Sequence, residues 1–426
     1  MITTLSDQEI LDHISQTSEM REHEKDKFGE VFTSSVLIDE LLDNLPKSIW
    51  KNPTLKWIDP AAGRGNFPAL VYIRLLKGLE IPNIQERKRH ILEKMLYMVE
   101  LNQDNVQELR KLFGKTANIS QSNFLDEPDK WTKDLGGQNT FDIVMGNPPF
   151  QTTKVSKYNG SSGNRTLWEK FLVMILTNIL KPKGYLSFIT PANWRRPDHS
   201  LYSLLTKDNT LEYLHIYGKK DGSRLFNAQT RFDLYIVQEG TPNNNHKTRI
   251  LDEKGIKQEL NLQSWPFIPN YAFSKIQQIL VSEGTGIPII FSAGDYDARK
   301  LSKMKTRSNK YPVVHNITRK GLGIQYAKER KESQFGVPKV LLNFNERQYP
   351  YNDYKGEYGM SQLTFGIPIK SKAEGEQWVT AINSANFEEI VSATKWGAFQ
   401  TDYRMFKHFN PKLYNKKGYR KTKKNH

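Results

Sequence analysis

The stretch that decides the fold is Leu55-Lys56-Trp57-Ile58-Asp59-Pro60-Ala61-Ala62-Gly63-Arg64-Gly65-Asn66-Phe67. Its apolar beginning predicts a buried strand, its small residues predict a tight loop, and the apolar spacing that follows predicts a helix. Glycines at 63 and 65 permit positive φ and let a ligand lie against the backbone, and the helix N-terminus is aimed at that ligand. We therefore expect an α/β protein with a ligand site at the carboxyl end of this strand.

Three more strands are predicted further along the chain: a buried strand in Met95–Asn102 that ends in the acid Glu100, a strand and turn over Asn118–Asp126, and a strand over Phe141–Met145. Together with the first strand they form a doubly wound, Rossmann-like sheet, and all four carboxyl ends meet at one edge, where ligands bind in open α/β sheets. Glu100 would bind ribose hydroxyls there. It follows Asp59 by 41 residues, whereas nicotinamide folds use a spacing of about 20, so a dehydrogenase is disfavoured.

The fourth strand runs directly into Asn147-Pro148-Pro149-Phe150. The side-chain oxygen of Asn147 and the carbonyl of Pro148 are two acceptors for one planar NH2 group, and proline removes backbone freedom and a competing donor. Phe150 offers a flat face on which a ring can stack. These features indicate methylation of an amino group by positioning and electrostatics. A simple Pro-Pro turn after a buried strand is the alternative interpretation of these four residues.

Composition excludes several classes of protein. With 426 residues and no cysteine, the chain has no disulfide, thiolate metal site or cysteine nucleophile. The histidines show no HExxH-type spacing and no GxxxxGK[ST] loop occurs, so we predict neither a metal site nor P-loop chemistry. No run approaches ~18 uninterrupted apolar residues, and the start lacks the basic and apolar regions of a signal peptide. We expect a cytoplasmic protein.

Charge divides the chain in two. Of a formal net charge of +16, residues 241–426 carry +15, with 31 Lys and Arg against 16 Asp and Glu. A neutral first part and a basic second part fit a catalytic domain joined to a domain that binds a polyanion. A basic surface that serves solubility alone is the alternative. We predict four segments: a helical extension over 1–27, a catalytic domain over 28–240, an α+β recognition domain over 241–410 and a basic tail over 411–426.

Cations and aromatic residues are densest between Lys395 and Lys407. Basic groups bind phosphates, and amide or aromatic groups contact bases. We therefore predict Trp396 and Arg404 as substrate-binding residues. A packed element with one solvated face is the alternative interpretation of this segment.

In their order along the chain, these motifs resemble those of the S-adenosylmethionine-dependent amino-methyltransferases of DNA, over roughly residues 28 to 238. The loop at Asp59–Phe67 comes before the tetrapeptide at Asn147–Phe150, and the large additional domain is C-terminal. This is the gamma-class order. The resemblance implies an adenine-N6 methyltransferase, commonly the partner of a restriction enzyme.

The resemblance also implies roles for individual residues. Thr33 follows Phe28-Gly29-Glu30-Val31-Phe32 and would bind the methionine carboxylate of the cofactor. The other residues implied in cofactor binding are Asp59, Ala61, Gly63 and Gly65 around the methionine moiety, Glu100 at the ribose, and Asn123 with Phe124 at the adenine. At position 123 the family usually has aspartate, and Asp126 is a competing candidate. Phe226 resembles the second aromatic residue that packs against a flipped base.

We therefore predict that the target adenine of double-stranded DNA is flipped out and methylated on N6. Cytosine N4, an RNA adenine or a protein glutamine are alternative acceptors, and a noncatalytic DNA-binding specificity subunit is an alternative of another class. The chain is expected either to belong to a restriction-modification system with a separate cognate endonuclease or to act as an orphan methylase, and a monomer is the expected state.

Overall fold

The computed structural model describes residues 1–19, 33–135, 141–150, 166–292, 294–344, 347–397 and 401–414. The predicted element at 28–32 and most of the predicted basic tail therefore lie outside the described residues. The chain divides into two compact units. Unit 1 comprises residues 1–194 and 200–264, and unit 2 comprises residues 195–199 and 265–426.

One large sheet forms the centre of unit 1. Its strands are β1 (Trp57–Asp59), β2 (Leu96–Glu100), β3 (Asn118–Gln121), β4 (Phe141–Gly146), β5 (Leu180–Pro191), β6 (Thr210–Tyr217), β7 (Phe232–Gln238), β8 (Thr248–Leu251) and β9 (Lys257–Leu260). They lie in the order β3-β2-β1-β4-β5-β7-β6-β8-β9. Strands β1 to β5 pair in parallel, whereas β7 is antiparallel to both β5 and β6. The predicted doubly wound α/β sheet is confirmed.

Helices join these strands. In unit 1 they are α1 (Asp7–Glu19), α2 (Ser35–Asp43), α3 (Asn66–Gly78), α4 (Ile84–His90), α5 (Gln103–Phe113), α6 (Pro128–Leu135), α7 (Leu167–Met174), α8 (Ser200–Thr206) and α9 (Lys219–Phe226). Apolar side chains of α2 and α3 are buried in one core with strands of the sheet. The parallel order reverses between β1 and β4, and at such a switch point open α/β sheets bind their ligands.

Helix α2 is held on the sheet by one carboxylate. Glu40 accepts hydrogen bonds from the Tyr213 hydroxyl at 2.8 Å, from the His215 ring and from the Tyr217 hydroxyl at 2.6 Å. These three donors alternate along β6, so they lie on the same face of the strand. Glu40 thus fixes α2 to a strand that begins about 170 residues later.

Unit 2 has two small sheets. Its strands are β10 (Tyr311–Thr318), β11 (Gly321–Ala327), β12 (Lys339–Asn343), β13 (Tyr351–Asp353), β14 (Gly359–Met360) and β15 (Thr364–Pro368). Its helices are α10 (Phe273–Gln277), α11 (Lys372–Ile382) and α12 (Ala385–Ala393). The sheet orders are β11-β10-β14 and β13-β12-β15. Unit 2 is therefore α+β in character, as the sequence predicts.

A buried ion pair lies inside unit 2. The Lys339 ammonium donates to Asp353 at 3.0 Å and to the carbonyl of Gln334 at 2.7 Å, and both charged side chains are almost wholly inaccessible. Burial lowers the pKa of Lys339, and Asp353 opposes that effect. Part of the positive charge of this unit is therefore structural and does not face solvent.

The boundary between the units differs from the one predicted near residue 240. Strand β8 pairs in parallel with β6, and β9 pairs antiparallel with β8. Residues 241–264 therefore extend the sheet of unit 1. The polar run Thr241–His246 resembles an interdomain hinge in sequence, but here it is the connection that returns the chain to the sheet edge.

Candidate active site

Asp59 ends β1 at the switch point of the sheet. Its side chain is 2% exposed, and Oδ1 accepts a hydrogen bond from the amide of Ala61 at 3.0 Å. Burial raises the pKa of Asp59 to about 8, and the charge of Glu100 adds to the rise. A buried carboxylate beside a second carboxylate is a favourable place for a cationic ligand, because a positive charge would offset both effects.

The glycine loop is held by the acid at the end of β2. Glu100 accepts from the amide of Gly63 at 2.8 Å and from the amide of Asn102 at 2.8 Å. Gly63 and Gly65 have φ of 55° and 92°, the left-handed region in which glycine has no steric cost. A Cβ on Gly65 would lie 2.6 Å from a ring carbon of Phe113, so a side chain at this position would have to displace α5. The predicted residues of the loop are thus assembled at one edge.

Asn147 lies at the same edge, directly after β4. Gly146, with φ of 149°, brings the backbone so close that a Cβ there would be 2.8 Å from Oδ1 of Asp59. The Asn147 amide nitrogen donates to Oγ1 of Thr33 at 3.0 Å. Pro148 is buried behind it. The tetrapeptide and the end of β1 are therefore neighbours in space, although Gly146 follows Asp59 by 87 residues.

The last residue of the tetrapeptide, Phe150, contacts a second aromatic residue, Phe226. The rings of Phe150 and Phe226 are 6.4 Å apart and nearly perpendicular, and Phe226 also packs edge-on against Phe232 at 4.6 Å. Phe226 is 8% exposed, whereas Phe150 is partly exposed. The structure brings the two predicted aromatic residues together, with Phe226 behind Phe150. The stacking roles themselves stay predictions.

Asn123 and Phe124, the two residues predicted to bind the adenine of the cofactor, contact other residues of the protein. Oδ1 of Asn123 accepts from the amides of Leu125 and Asp126, and its Nδ2 donates to the Asp126 carboxylate at 2.7 Å. Phe124 is 2% exposed and stacks between Trp131 and Phe171. Asn123 and Asp126 thus form one turn, so the two candidates from the sequence are hydrogen-bonded neighbours.

The predicted DNA contact at Trp396 needs a correction. Trp396 is 2% exposed, its indole nitrogen donates to the carbonyl of Ile268 at 2.7 Å, and its ring packs edge-on against Phe267. An indole that is buried and satisfied in this way cannot stack on a base, so Trp396 is a core residue of unit 2. Arg404 directs its guanidinium onto the Asp402 carboxylate and remains partly exposed. Its role in DNA binding stays a prediction.

Asn66 is a site residue that the sequence reasoning missed. Its amide nitrogen donates to the carbonyl of Thr33 at 3.3 Å. Asn66 is the first residue of α3, immediately after the second glycine of the loop. Its position directly after Gly65 is the sequence feature from which a place near the site could have been predicted. Within the described part of the chain, no group of three or more acidic, histidine or cysteine residues is placed to hold a metal ion, and no helix could span a membrane.

Comparisons with known proteins agree with this geometry. Residues 75–222, about a third of the chain, match the model of the Eco57I restriction-modification methylase family. A Mycoplasma pneumoniae protein described as an uncharacterized adenine-specific methylase is 24% identical in a match that covers 44% of this chain and 62% of that protein. The chain therefore spans less than two thirds of the length of this relative.

Two solved structures resemble the fold. The type IIL restriction-modification enzyme MmeI, in complex with DNA, has a TM-score of 0.52 at 13% identity, with 89% of this chain and 67% of that chain covered. The DrdV–DNA complex has a TM-score of 0.53 at 10% identity, with 97% and 59% covered. None of these matches tests the gamma-class order, which stays a prediction. The chain is thus similar to restriction-modification methylases in sequence over residues 75–222 and in fold over most of its length.

Proposed function

We propose that this protein is a site-specific DNA adenine-N6 methyltransferase that uses S-adenosylmethionine. The observation that carries the proposal is the position of Asn147-Pro148-Pro149-Phe150 at the carboxyl end of β4, beside the buried carboxylate that ends β1. The Eco57I family match and the name of the Mycoplasma relative support the same reaction.

The residues at the edge of β1 and β2 fit this cofactor. S-adenosylmethionine carries a sulfonium and an ammonium, and its ribose carries two hydroxyls. Asp59 and Glu100 supply carboxylates for cations and hydroxyls, and Gly63 and Gly65 carry no side chain that would hold a ligand away from the backbone. When bound, the cofactor supplies an electrophilic methyl group.

The protein's own part in the reaction is to hold the acceptor amine. The adenine amino group is a poor nucleophile because its lone pair is delocalised into the ring. Oδ1 of Asn147 and the carbonyl of Pro148 would accept its two hydrogens, which fixes the nitrogen in position and raises its electron density. Phe150 would stack on the base, and Phe226 supports Phe150 from behind. Flipping the base out of the stack costs on the order of a few kcal/mol, and these contacts offset that cost.

Double-stranded DNA is the proposed substrate because of unit 2. The excess of positive charge after residue 240 fits phosphate binding, and both MmeI and DrdV, whose solved structures resemble this fold, are bound to DNA in those structures. An RNA or cytosine substrate shares the chemistry of the amino group and is separated by product analysis. We further propose that the chain acts as a monomer and that a cognate endonuclease is a separate protein.

The test is methyl transfer from labelled S-adenosylmethionine to plasmid DNA, followed by nucleoside analysis and mapping of the modified positions. We expect N6-methyladenine in one short sequence motif. Asn147→Ala should abolish transfer and leave cofactor affinity, measured by calorimetry, near the wild-type value. Asn52→Ala, which removes an exposed asparagine of the same unit, is the matched control. Substantial methylation by Asn147→Ala would refute the assignment of the acceptor pair.

A further inference from the structure

Thr33 joins three parts of the candidate active site. It lies two residues before α2 and is 5% exposed. Its hydroxyl oxygen accepts a hydrogen bond from Nδ2 of Asn147 at 3.0 Å, and its carbonyl accepts one from Nδ2 of Asn66 at 3.3 Å. Thr33 therefore connects the start of α3, the tetrapeptide and the segment that leads into α2.

The hydroxyl contact determines how the Asn147 amide is turned. The last torsion of an asparagine side chain is broad, so its own rotamer preference does not fix the positions of oxygen and nitrogen. With Nδ2 bonded to Thr33, Oδ1 points away from Thr33. An amide turned by half a rotation would present N–H groups where an acceptor is needed, and those would repel an incoming amine.

We propose that Thr33 is a positioning residue whose hydroxyl holds the Asn147 amide with Oδ1 toward the target amine. This inference rests on the proposed function. The hydroxyl accepts the bond from Asn147, so its own O–H can still donate to the carboxylate of the cofactor, the partner that the family resemblance implies. The two roles differ in what they predict for binding and for the transfer step.

Thr33→Val is the central variant, because valine keeps the shape of threonine and removes the hydroxyl. We expect single-turnover methyl transfer to slow by about 10- to 100-fold, the scale on which misplaced reacting groups reduce rates. If positioning is its role, the dissociation constants for S-adenosylmethionine and DNA should stay near the wild-type values, since the hydrogen bond to Asn147 contacts neither ligand. Thr33→Ser keeps the hydroxyl and should restore most of the rate.

The neighbouring residue supplies the matched control. Among the described residues, the Ser34 hydroxyl has no hydrogen-bond partner. Ser34→Ala therefore removes a hydroxyl at the same helix start and should transfer methyl groups at the wild-type rate.

A second readout does not depend on activity. In protein labelled with ¹⁵N-asparagine, the side-chain NH2 resonances of Asn147 are identified by their loss in Asn147→Ala. We expect them to shift in Thr33→Val and to return in Thr33→Ser. Unchanged resonances in Thr33→Val would overturn the hydrogen bond and with it the proposal.

Two kinetic results would also overturn the proposal. These are a wild-type transfer rate in Thr33→Val, and a loss of cofactor affinity with an unchanged rate at saturation. The second result would support the carboxylate role instead. A wild-type protein that methylates no DNA counts against the proposed function, whereas the amide resonances still test the hydrogen bond separately.

Discussion

Asp59→Asn should make unit 1 more stable in neutral and alkaline solution while it weakens cofactor binding. Asparagine keeps the oxygen that accepts from Ala61 and removes the buried negative charge. In the wild-type protein burial raises the pKa of Asp59 to about 8, from 3.8. A carboxyl whose folded pKa is raised favours the folded state in its protonated form. Its stabilising contribution is therefore complete below about pH 4 and is lost as the pH rises toward 8.

The size of this effect follows from the shift. Each unit of pKa difference corresponds to about 1.4 kcal/mol, so a rise of roughly four units sets a ceiling of about 6 kcal/mol on the cost of ionising Asp59 in the ligand-free protein. As the pH rises from 5 to 8, the free energy of unfolding of Asp59→Asn minus that of the wild type should therefore increase by up to about 4 kcal/mol. Whole domains have stabilities of about 5 to 15 kcal/mol, so the gain is large enough to measure.

The assay is pulse proteolysis in urea from pH 5 to pH 9, with peptides from residues 33–135 followed by mass spectrometry so that unit 1 is observed by itself. Glu100→Gln should reduce the pH dependence, because the charge of Glu100 contributes to the raised pKa of Asp59. Asp104→Asn removes an exposed carboxylate in the first turn of α5 and should give a curve parallel to that of the wild type. Parallel curves for Asp59→Asn and the wild type would refute the reasoning.

Three further changes test the fold and the loop. Glu40→Gln should destabilise unit 1 by about 1 to 3 kcal/mol. Burial raises the pKa of Glu40, but the hydrogen bonds from His215 and the two tyrosines lower it more, so the pKa in the folded protein is below its usual value. In urea unfolding, the stability difference between the variant and the wild type should therefore shrink as the pH falls below about 4.5. Lys339→Met should cost unit 2 about 3 to 5 kcal/mol by leaving Asp353 buried and unpaired, with unchanged cofactor affinity by calorimetry. Gly65→Ala should weaken that affinity at least tenfold, since its Cβ would meet a phenylalanine ring carbon at 2.6 Å.

The sequence predicts the sheet and its ligand edge because both depend on local patterns. A buried run followed by Asp59, Glu100 or Asn147 places each polar side chain at a strand end, and parallel strands then bring the ends together. Local patterns do not give the extension of the sheet by β8 and β9, because their pairing depends on an edge formed by distant residues.

Trp396 shows why composition alone misplaces a contact. An aromatic residue among cations has the same sequence signature on a DNA-binding surface and in a core whose rim is basic. The difference lies in what covers the ring, here Phe267 and the carbonyl of Ile268, both about 130 residues earlier in the chain. The buried pair of Lys339 and Asp353 also shows that composition does not locate a side chain. Lys339 contributes to the positive charge counted for this part of the chain, but its side chain lies inside unit 2.

The contact between Thr33 and Asn147 spans 114 residues, and no motif predicts it. It depends on where α2 is docked, and that docking depends on the hydrogen bonds from β6 to Glu40. Because β6 joins the sheet through the antiparallel β7, the strands after the tetrapeptide hold the helix that precedes the glycine loop. The orientation of the Asn147 amide thus depends on packing across unit 1. Substitutions at β6 should therefore affect methyl transfer through α2 even though they lie outside every recognised motif.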